Sequence, residues 1–400
     1  MNLPQRRLLA VEARMPVSSG SLTALESAAL YEQHLGDASQ FLRGALAPST
    51  VQRQDGAAAD LGAWLRQSGC GRSLADCTPE DVLVYFSAWW LPRHGNRSSG
   101  AGDAPGPSAV RSHLSALSGF FSRAGRGARY DYGAGQGNPC DSVTVGDYRS
   151  AYQRAQVKAG YQEVSAVPMT PAKYRALVAH LWARVGAEPG PLPRLVLLRD
   201  LACILLLWQT TVRGHDIGKL GLGDFVDPDR PDQPFRGFPL PLPGEVADRA
   251  PTLCFRLRGS KTYQLSRAPP VWLFPNPSEP AFCAVGTLAL YLRLSSQSAA
   301  LPGVAVSDAF FRPLTADRRG FAAGPLRSAA LSARVRLHLQ ESQLYDGETV
   351  HSFRRGALQA ASADGAGTPA LLGFGQLRSV ATLERYLDRG RHERVTRARL

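Results

Sequence analysis

A long apolar run near the middle of the chain constrains the fold more than any other feature. Residues 195–208 are apolar enough to form a buried element, and the twelve residues Leu201 to Val212, which follow Arg199 and Asp200, carry no charge. A helix that crosses a bilayer needs about 20 apolar residues, so this run is too short to do so. We therefore expect it to form the buried centre of a domain in a soluble protein without a membrane partner.

Capping signals predict helices on both sides of this run. Thr78-Pro79-Glu80-Asp81 and Thr170-Pro171-Ala172 each place a capping threonine before a proline at the first helical position. From Ser108, apolar residues recur every three or four positions, as on one face of a helix, at Val110, Leu114, Leu117 and Phe121. We therefore predict helices that begin near Thr78, Ser108 and Thr170.

A short strand interrupts the helical pattern. Leu253, Phe255 and Leu257 alternate with Cys254, Arg256 and Arg258, which is the period of two of a strand, and Gly259-Ser260 supplies a turn. From Ala284 onward the pattern is helical again. The predicted fold class is α+β, mainly α with a small β-sheet.

Glycine-rich segments suggest where the domains meet. A chain of 400 residues predicts two or three domains. Residues 94–107 are mostly Gly, Ser and Pro and predict a flexible loop, and a second glycine-rich patch lies within 125–170. We predict an N-terminal extension, a helical domain, a linker and a second domain over residues 1–40, 41–140, 141–168 and 169–400.

The net charge and the cysteine spacing indicate the class of binding partner and the cellular compartment. The chain carries 46 Lys and Arg against 33 Asp and Glu, a net charge of +13, which attracts polyanions and makes nucleic acid the leading partner. Its six cysteines form no C-x-x-C pair, and its eight histidines form no H-x-x-x-H pattern. We expect no metal, no cofactor and no disulfide framework, and a reducing intracellular location.

Basic or hydroxyl-bearing residues stand beside apolar segments at several places. His351 and Arg354 in HSFRRG would share one helix face, with Arg355 about 100° away. The other candidates are Arg213 with Asp216, which could orient it, Lys261 and Tyr386. Taken singly, each has an ordinary structural explanation: an Arg–Asp helix pair, a solvated loop lysine, a capping histidine beside a surface arginine, and a core tyrosine.

The order of these segments resembles the motif series of the tyrosine recombinases, also called the phage integrase family. TTVRGHDIGKL and LGLGD are followed by RGSKTYQ, HSFRRG and SVATLERYLD. The family's H-x-x-R box matches His351 and Arg354 unaltered, whereas its T-G-x-R-x-x-E-L segment is kept only loosely around Arg213. The sequences of the FFRPLT and HSFRRG segments are most similar to those of recombinases of eukaryotic mobile elements. This resemblance implies a nuclear protein in a eukaryote.

The resemblance implies an enzyme of DNA recombination and integration that needs neither metal nor ATP. Tyr386 would attack a DNA phosphodiester to form a 3′-phosphotyrosine, and Arg213 and Arg354 would brace the nonbridging oxygens. Lys261 would be the general acid at the leaving oxygen, and His351 would orient the tyrosine and phosphate or accept the tyrosine proton. It also implies a helical core-binding domain that clamps double-stranded DNA, a catalytic domain after it, and a homotetramer on synapsed DNA.

One position departs from the family's pattern. Nine residues before Tyr386, where the family places a His or Trp as a phosphate ligand, this chain has Leu377, while Leu372-Gly373-Phe374 resembles the same box displaced by three. Leucine cannot hydrogen-bond a phosphate, so either Phe374 marks the position or the ligand is lost. Two other interpretations stay open: a decayed or domesticated recombinase that only binds DNA, and a monomeric enzyme like the type IB topoisomerases.

Overall fold

The computed structural model describes most of the chain and divides it into two compact units. The units are Met1–Val164 and Ser165–Leu400, called the first and the second unit below. The predicted Gly259-Ser260 turn and most of the predicted loop over 94–107 lie outside the described residues, as does most of the predicted N-terminal extension. The described residues are 30–37, 46–95, 104–161, 166–230, 252–257, 268–297 and 309–388.

The structure is mainly helical with a small antiparallel sheet, so the predicted α+β class is confirmed. Within the described ranges, no helix combines the length and the apolar character needed to cross a membrane. All six cysteines are free thiols.

The first unit is built from helices. Thr78 caps α2 as predicted, because its Oγ1 accepts the Asp81 N–H at 3.4 Å while Asp81 Oδ2 accepts the Thr78 N–H at 2.9 Å. Helix α2 runs on as a π-helix, Tyr85–Trp90, and one further turn, Leu91–Arg93. The longer helices are α1 (Pro48–Gln67), α2 (Pro79–Val84), α3 (Pro107–Arg123) and α4 (Val143–Lys158).

An apolar core joins these helices. The predicted face of α3 is confirmed, since Val110, Leu114, Leu117 and Phe121 are all buried. Helix α4 lies within the segment that the sequence analysis predicts to be a linker, yet its Val145 is 2 % exposed and belongs to the same core. That apolar contact makes α4 a part of the first unit.

The second unit surrounds the apolar run, which forms one long helix. Leu198 and Leu201 through Leu207 are buried, so the predicted central element is confirmed. Thr170 caps the preceding helix as predicted, accepting the Lys173 N–H at 3.2 Å. The helices are α5 (Pro171–Ala187), α6 (Pro191–Thr210), α7 (Gly214–Ile217), α8 (Ala284–Gln297), α9 (Ser328–Glu341), α10 (Val350–Ala363), α11 (Thr368–Phe374) and α12 (Val380–Leu387).

Three short antiparallel strands form the sheet, in the order β1 (Phe225–Val226), β2 (Leu253–Phe255) and β3 (Val271–Leu273). The predicted strand is confirmed in β2. Its alternation places Cys254 on the outer face, but this residue is only 1 % exposed. Cys254 lies between Val226 and Trp272 in the register, so the three side chains share one face of the sheet.

Charged groups at the start of the apolar run are buried in α6 as a paired network. Asp200 accepts hydrogen bonds from Arg199 Nη2 at 2.6 Å and Arg334 Nε at 2.6 Å, and lies 2.9 Å from His338 Nε2. Burial alone would raise the pKa of Asp200, but the Arg199 charge and the His338 hydrogen bond outweigh it and lower the pKa. Pairing therefore lets α6 stay buried along its full apolar length.

A glycine lets the start of the second unit pack directly on α10. The Met169 N–H donates to Ser352 O at 3.0 Å. A Cβ on Gly356 would lie 1.7 Å from Met169 O, so no side chain fits there without moving the backbone. Helix α10 and the segment before α5 are thereby held as one element.

We expect Gly356→Ala to destabilise the protein by at least about 2 kcal/mol, because its methyl group would overlap backbone rather than a movable side chain. Gly186→Ala is the matched control, since Gly186 lies in α5 and a methyl group there would meet no atom within 4 Å. That control should leave stability unchanged or raise it by up to about 1 kcal/mol. Urea unfolding midpoints measure both changes, and equal midpoints would show that the Met169 contact is absent.

Candidate functional site

A pocket of about 270 Å³ opens where the start of α7, α9 and α10 approach one another. Basic and hydroxyl-bearing side chains line it, and it brings together residues separated by more than a hundred positions in the sequence. They are Val212, Arg213, Gly214, His215, Ser328, Ser332, Thr349, Val350, His351 and Arg354.

Arg354 is buried in this pocket and bonded to backbone rather than to an acidic side chain. The residue is 2 % exposed, and its Nη1 donates to Thr211 O at 2.6 Å while its Nη2 donates to Gly375 O. Among the described residues, no carboxylate lies within ion-pair distance of it, and its Nε has no hydrogen-bond partner. A buried charge without a counter-ion is unfavourable by several kcal/mol, so this guanidinium is suited to an anion that enters the pocket.

The electrostatics of Arg354 agree with this description. Burial lowers its pKa, and the Arg213 charge lowers it further, whereas interaction with Tyr386 and Asp216 raises it. The net direction is downward, because the surroundings add positive charge and little water. An entering anion would relieve both effects.

Arg213 reaches the same pocket because α7 packs tightly on α10. Arg213 is the N-cap residue of α7 and is partly buried. A Cβ on the next residue, Gly214, would lie 2.1 Å from Val350 Cγ1, so only glycine permits this approach. The contact places Arg213 beside the first turn of α10, which carries His351.

His351 stands at the exposed mouth of the pocket. Thr349 caps α10, and its Oγ1 accepts the His351 N–H at 3.2 Å. Loss of hydration around the ring lowers the imidazole pKa, and the charges of Arg354, Arg213 and Arg355 lower it further. The ring is therefore neutral at pH 7 and can accept a proton on its unprotonated nitrogen.

Tyr386 lies against both of these groups. Its ring centroid is 5.3 Å from that of His351, and the Cζ of Arg354 lies 5.3 Å from it. Two contacts hold its helix, α12, on α10: Gln359 Nε2 donates to Tyr386 O at 2.9 Å, and Arg355 pairs with Asp388. A phenol is thus fixed beside an imidazole and a guanidinium.

The structure brings Arg213, His351 and Arg354 into one pocket and places Tyr386 against the last two. Asp216 is buried beside them, with Oδ1 3.0 Å from His215 Nδ1, and within the described part of the chain its Oδ2 has no hydrogen-bond partner. Lys261 belongs to the connection between β2 and β3 and lies outside the described residues.

Leu377 and Phe374 pack in an apolar cluster and do not line the pocket. Leu377 is 9 % exposed, and Phe374 packs partly buried against the same cluster. The other buried members of the cluster are Leu358, Leu371, Leu383 and Leu387.

Several residues at the site are not predicted by the sequence. His215 lines the pocket, and Ser328 and Ser332 reach it from α9, with only their spacing of four residues as a signal. Thr211 and Gly375 accept hydrogen bonds from Arg354 and so join distant segments of the chain. No local pattern indicates such contacts.

No known family model matches the chain, and no curated protein sequence matches it. The solved structures to which this chain is similar include tyrosine recombinases and integrases. A lambda integrase dimer bound to a COC′ core site is 14 % identical over 90 % of this chain and 96 % of that chain, with a TM-score of 0.48. A Tn1549 transposon integrase in complex with circular intermediate DNA is 13 % identical over 98 % and 99 %, with a TM-score of 0.45. XerA recombinase is 13 % identical over 90 % of this chain and 96 % of that chain, with a TM-score of 0.36.

We expect Leu377→His to destabilise the protein by about 2 kcal/mol or more, because an imidazole would be buried among leucines without a partner. Leu377→Met, which conserves volume and apolarity, should cost less than about 1.5 kcal/mol. Thermal unfolding distinguishes the two variants. A Leu377→His protein as stable as wild type would place this side chain in the pocket instead.

The imidazole of His351 should titrate below the usual pKa of 6.5 in the folded protein. As the pH drops below 6.5, the unfolded chain takes up the proton first, so the free energy of unfolding should fall. Arg213→Gln should raise the pKa, since it removes one of the positive charges that oppose protonation. Arg175→Gln is the control, because Arg175 pairs with Glu279 and does not contribute to this titration. NMR titration of His351 measures the change in its pKa. An unchanged pKa in Arg213→Gln would show that the Arg213 charge does not act on this imidazole.

Proposed function

We propose that this chain is a site-specific DNA recombinase that cuts and rejoins DNA through a 3′-phosphotyrosyl intermediate. The observation that carries the proposal is the buried guanidinium of Arg354, which has no acidic partner in the described part of the chain and lies against the ring of Tyr386. A phosphodiester supplies the negative charge that this site lacks. A phenol beside it supplies the nucleophile.

In this proposal the two arginines bind the scissile phosphate. Arg354 uses its Nη atoms partly on Thr211 O and Gly375 O, which fixes the plane of the guanidinium. Its remaining N–H groups would donate to a nonbridging oxygen. Arg213 approaches from the N-terminus of α7 and neutralises charge from a second direction. Preorganised donors of this kind stabilise the pentacoordinate phosphate without a metal ion.

The proton balance involves a base and an acid. Tyr386 Oη attacks phosphorus, its proton passes to the neutral imidazole of His351, and the bond from phosphorus to the 5′ oxygen breaks. Lys261, in the connection between β2 and β3, donates a proton to that departing oxygen. One phosphoester bond replaces another, so attack by a 5′ hydroxyl of a second strand reverses the step and completes strand exchange without ATP.

The partner in this proposal is double-stranded DNA. The net charge of +13 favours a polyanion. The helical first unit would act as the core-binding clamp and the second unit as the catalytic domain, and exchange of strands between two duplexes would use a homotetramer. The sequences of the FFRPLT and HSFRRG segments support a recombinase of a eukaryotic mobile element, which would act in the nucleus.

We expect Tyr386→Phe to bind DNA like wild type but to form no covalent adduct, because the variant keeps the ring packing and loses only the nucleophilic hydroxyl. The substrates are nicked duplexes carrying sequences that the protein selects from a random pool. Wild type should trap an adduct, in excess EDTA, that resists detergent and heat and is digested by protease. Gel electrophoresis of the radiolabelled DNA measures it.

Tyr345→Phe is the matched control, since Arg336 lies 5.1 Å from the Tyr345 ring centroid, in an arrangement like that of Arg354 and Tyr386. It should form the adduct at the wild-type rate. Adduct formation by Tyr386→Phe would assign the nucleophile to another residue. DNA binding without an adduct by wild type would instead identify a DNA-binding protein that has lost catalysis.

A further inference from the structure

Thr211 adopts a backbone conformation that its side chain disfavours. Its φ is +52°, in the left-handed region, and it is fully buried at the C-terminal end of α6. A β-branched residue is seldom found there, because its Cβ substituents crowd the backbone, and glycine is the usual choice. Backbone strain of this kind persists where surrounding contacts over-determine it.

The contacts of Thr211 form a closed ring around the guanidinium of Arg354. Thr211 O accepts Arg354 Nη1 at 2.6 Å, and Thr211 Oγ1 donates to Phe374 O at 2.6 Å. Arg354 Nη2 donates to Gly375 O, the next carbonyl along the chain. The left-handed conformation therefore aims the Thr211 carbonyl at Arg354, while the hydroxyl ties the same residue to the turn after α11.

That turn is itself constrained and leads to the helix of Tyr386. Gln376 has a φ of +47° and is 8 % exposed. Its N–H donates to Gly373 O at 3.0 Å, and the Leu377 N–H donates to Leu372 O at 2.9 Å. The turn closes just before α12, so its position fixes where that helix begins.

We infer that Thr211 is a positioning residue for the reaction, acting through Arg354 and the turn over 374–376. This inference depends on the proposed function above. The hydroxyl holds the turn and the guanidinium in one arrangement, so that the phosphate ligand and the nucleophile helix keep a fixed separation. A plain helix cap would need the left-handed backbone but no hydroxyl, and glycine would serve it better.

Three substitutions separate these roles. Thr211→Ser keeps the hydroxyl, Thr211→Val keeps the branched shape without it, and Thr211→Gly relieves the strain without it. The rate of covalent adduct formation should stay within about threefold of wild type in Thr211→Ser and fall by about tenfold to a hundredfold in both other variants. DNA affinity should change less than about twofold in all three.

Thermal stability distinguishes a positioning role from a merely structural one, because a structural role would lower the melting temperature and the rate of adduct formation together. Thr211→Gly should melt within about 3 °C of wild type, because relief of strain offsets the lost hydrogen bond and the more flexible unfolded chain. Thr211→Val should melt lower, since Phe374 O loses its donor. Amide exchange at Gln376 and Leu377 should be at least about tenfold faster in Thr211→Gly, even though its melting temperature stays close to that of wild type.

A Thr211→Gly protein that forms the adduct at the wild-type rate would overturn the inference while leaving the proposed function intact. Unchanged amide exchange at Gln376 and Leu377 in that variant would do the same. Absence of an adduct in wild type would overturn the proposed function itself, and with it any catalytic role of Thr211. The two failures are therefore distinguishable.

Discussion

The burial of Arg354 against backbone carbonyls, with no carboxylate within ion-pair distance of it in the described part of the chain, is the constraint on which the site depends. A paired arginine would be easier to bury, but its charge would then be neutralised within the protein. Two backbone carbonyls, those of Thr211 and Gly375, solvate part of the guanidinium instead. They fix its orientation without neutralising it. The surrounding elements must therefore hold these carbonyls in place with little freedom, and the tight junctions of α6, α7 and α11 with α10 do so.

The paired charges in the middle of α6 illustrate the contrast. Asp200 collects Arg199, Arg334 and His338 around one carboxylate, and each buried charge there finds an opposite. That network lets a helix stay buried. The same helix ends at Thr211, where the charge next to it is left unbalanced. One helix thus carries a balanced charge network in its middle and ends beside a charge that has no ion-pair partner among the described residues.

Local signals in the sequence predict much of this arrangement. The caps at Thr78 and Thr170 depend on residues within four positions, and the spacing of His351 and Arg354 alone places both on one face of α10. Counting along the chain places Leu377 at a phosphate site, whereas packing with other leucines determines where it lies. Thr211 gives no signal, because its partners are more than a hundred residues away. Sequence patterns therefore predict elements and faces, and they miss contacts that only the tertiary structure creates.

The contact between Met169 and Gly356 has a mechanical consequence. The first described residues of the second unit, from 166 onward, are attached to α10 before they enter α5, and the attachment lies two residues from Arg354. A pull on the chain at this point acts directly on α10, with no loop between them to absorb it. The helix that carries His351 and Arg354 is thus also the element to which the start of the second unit is attached.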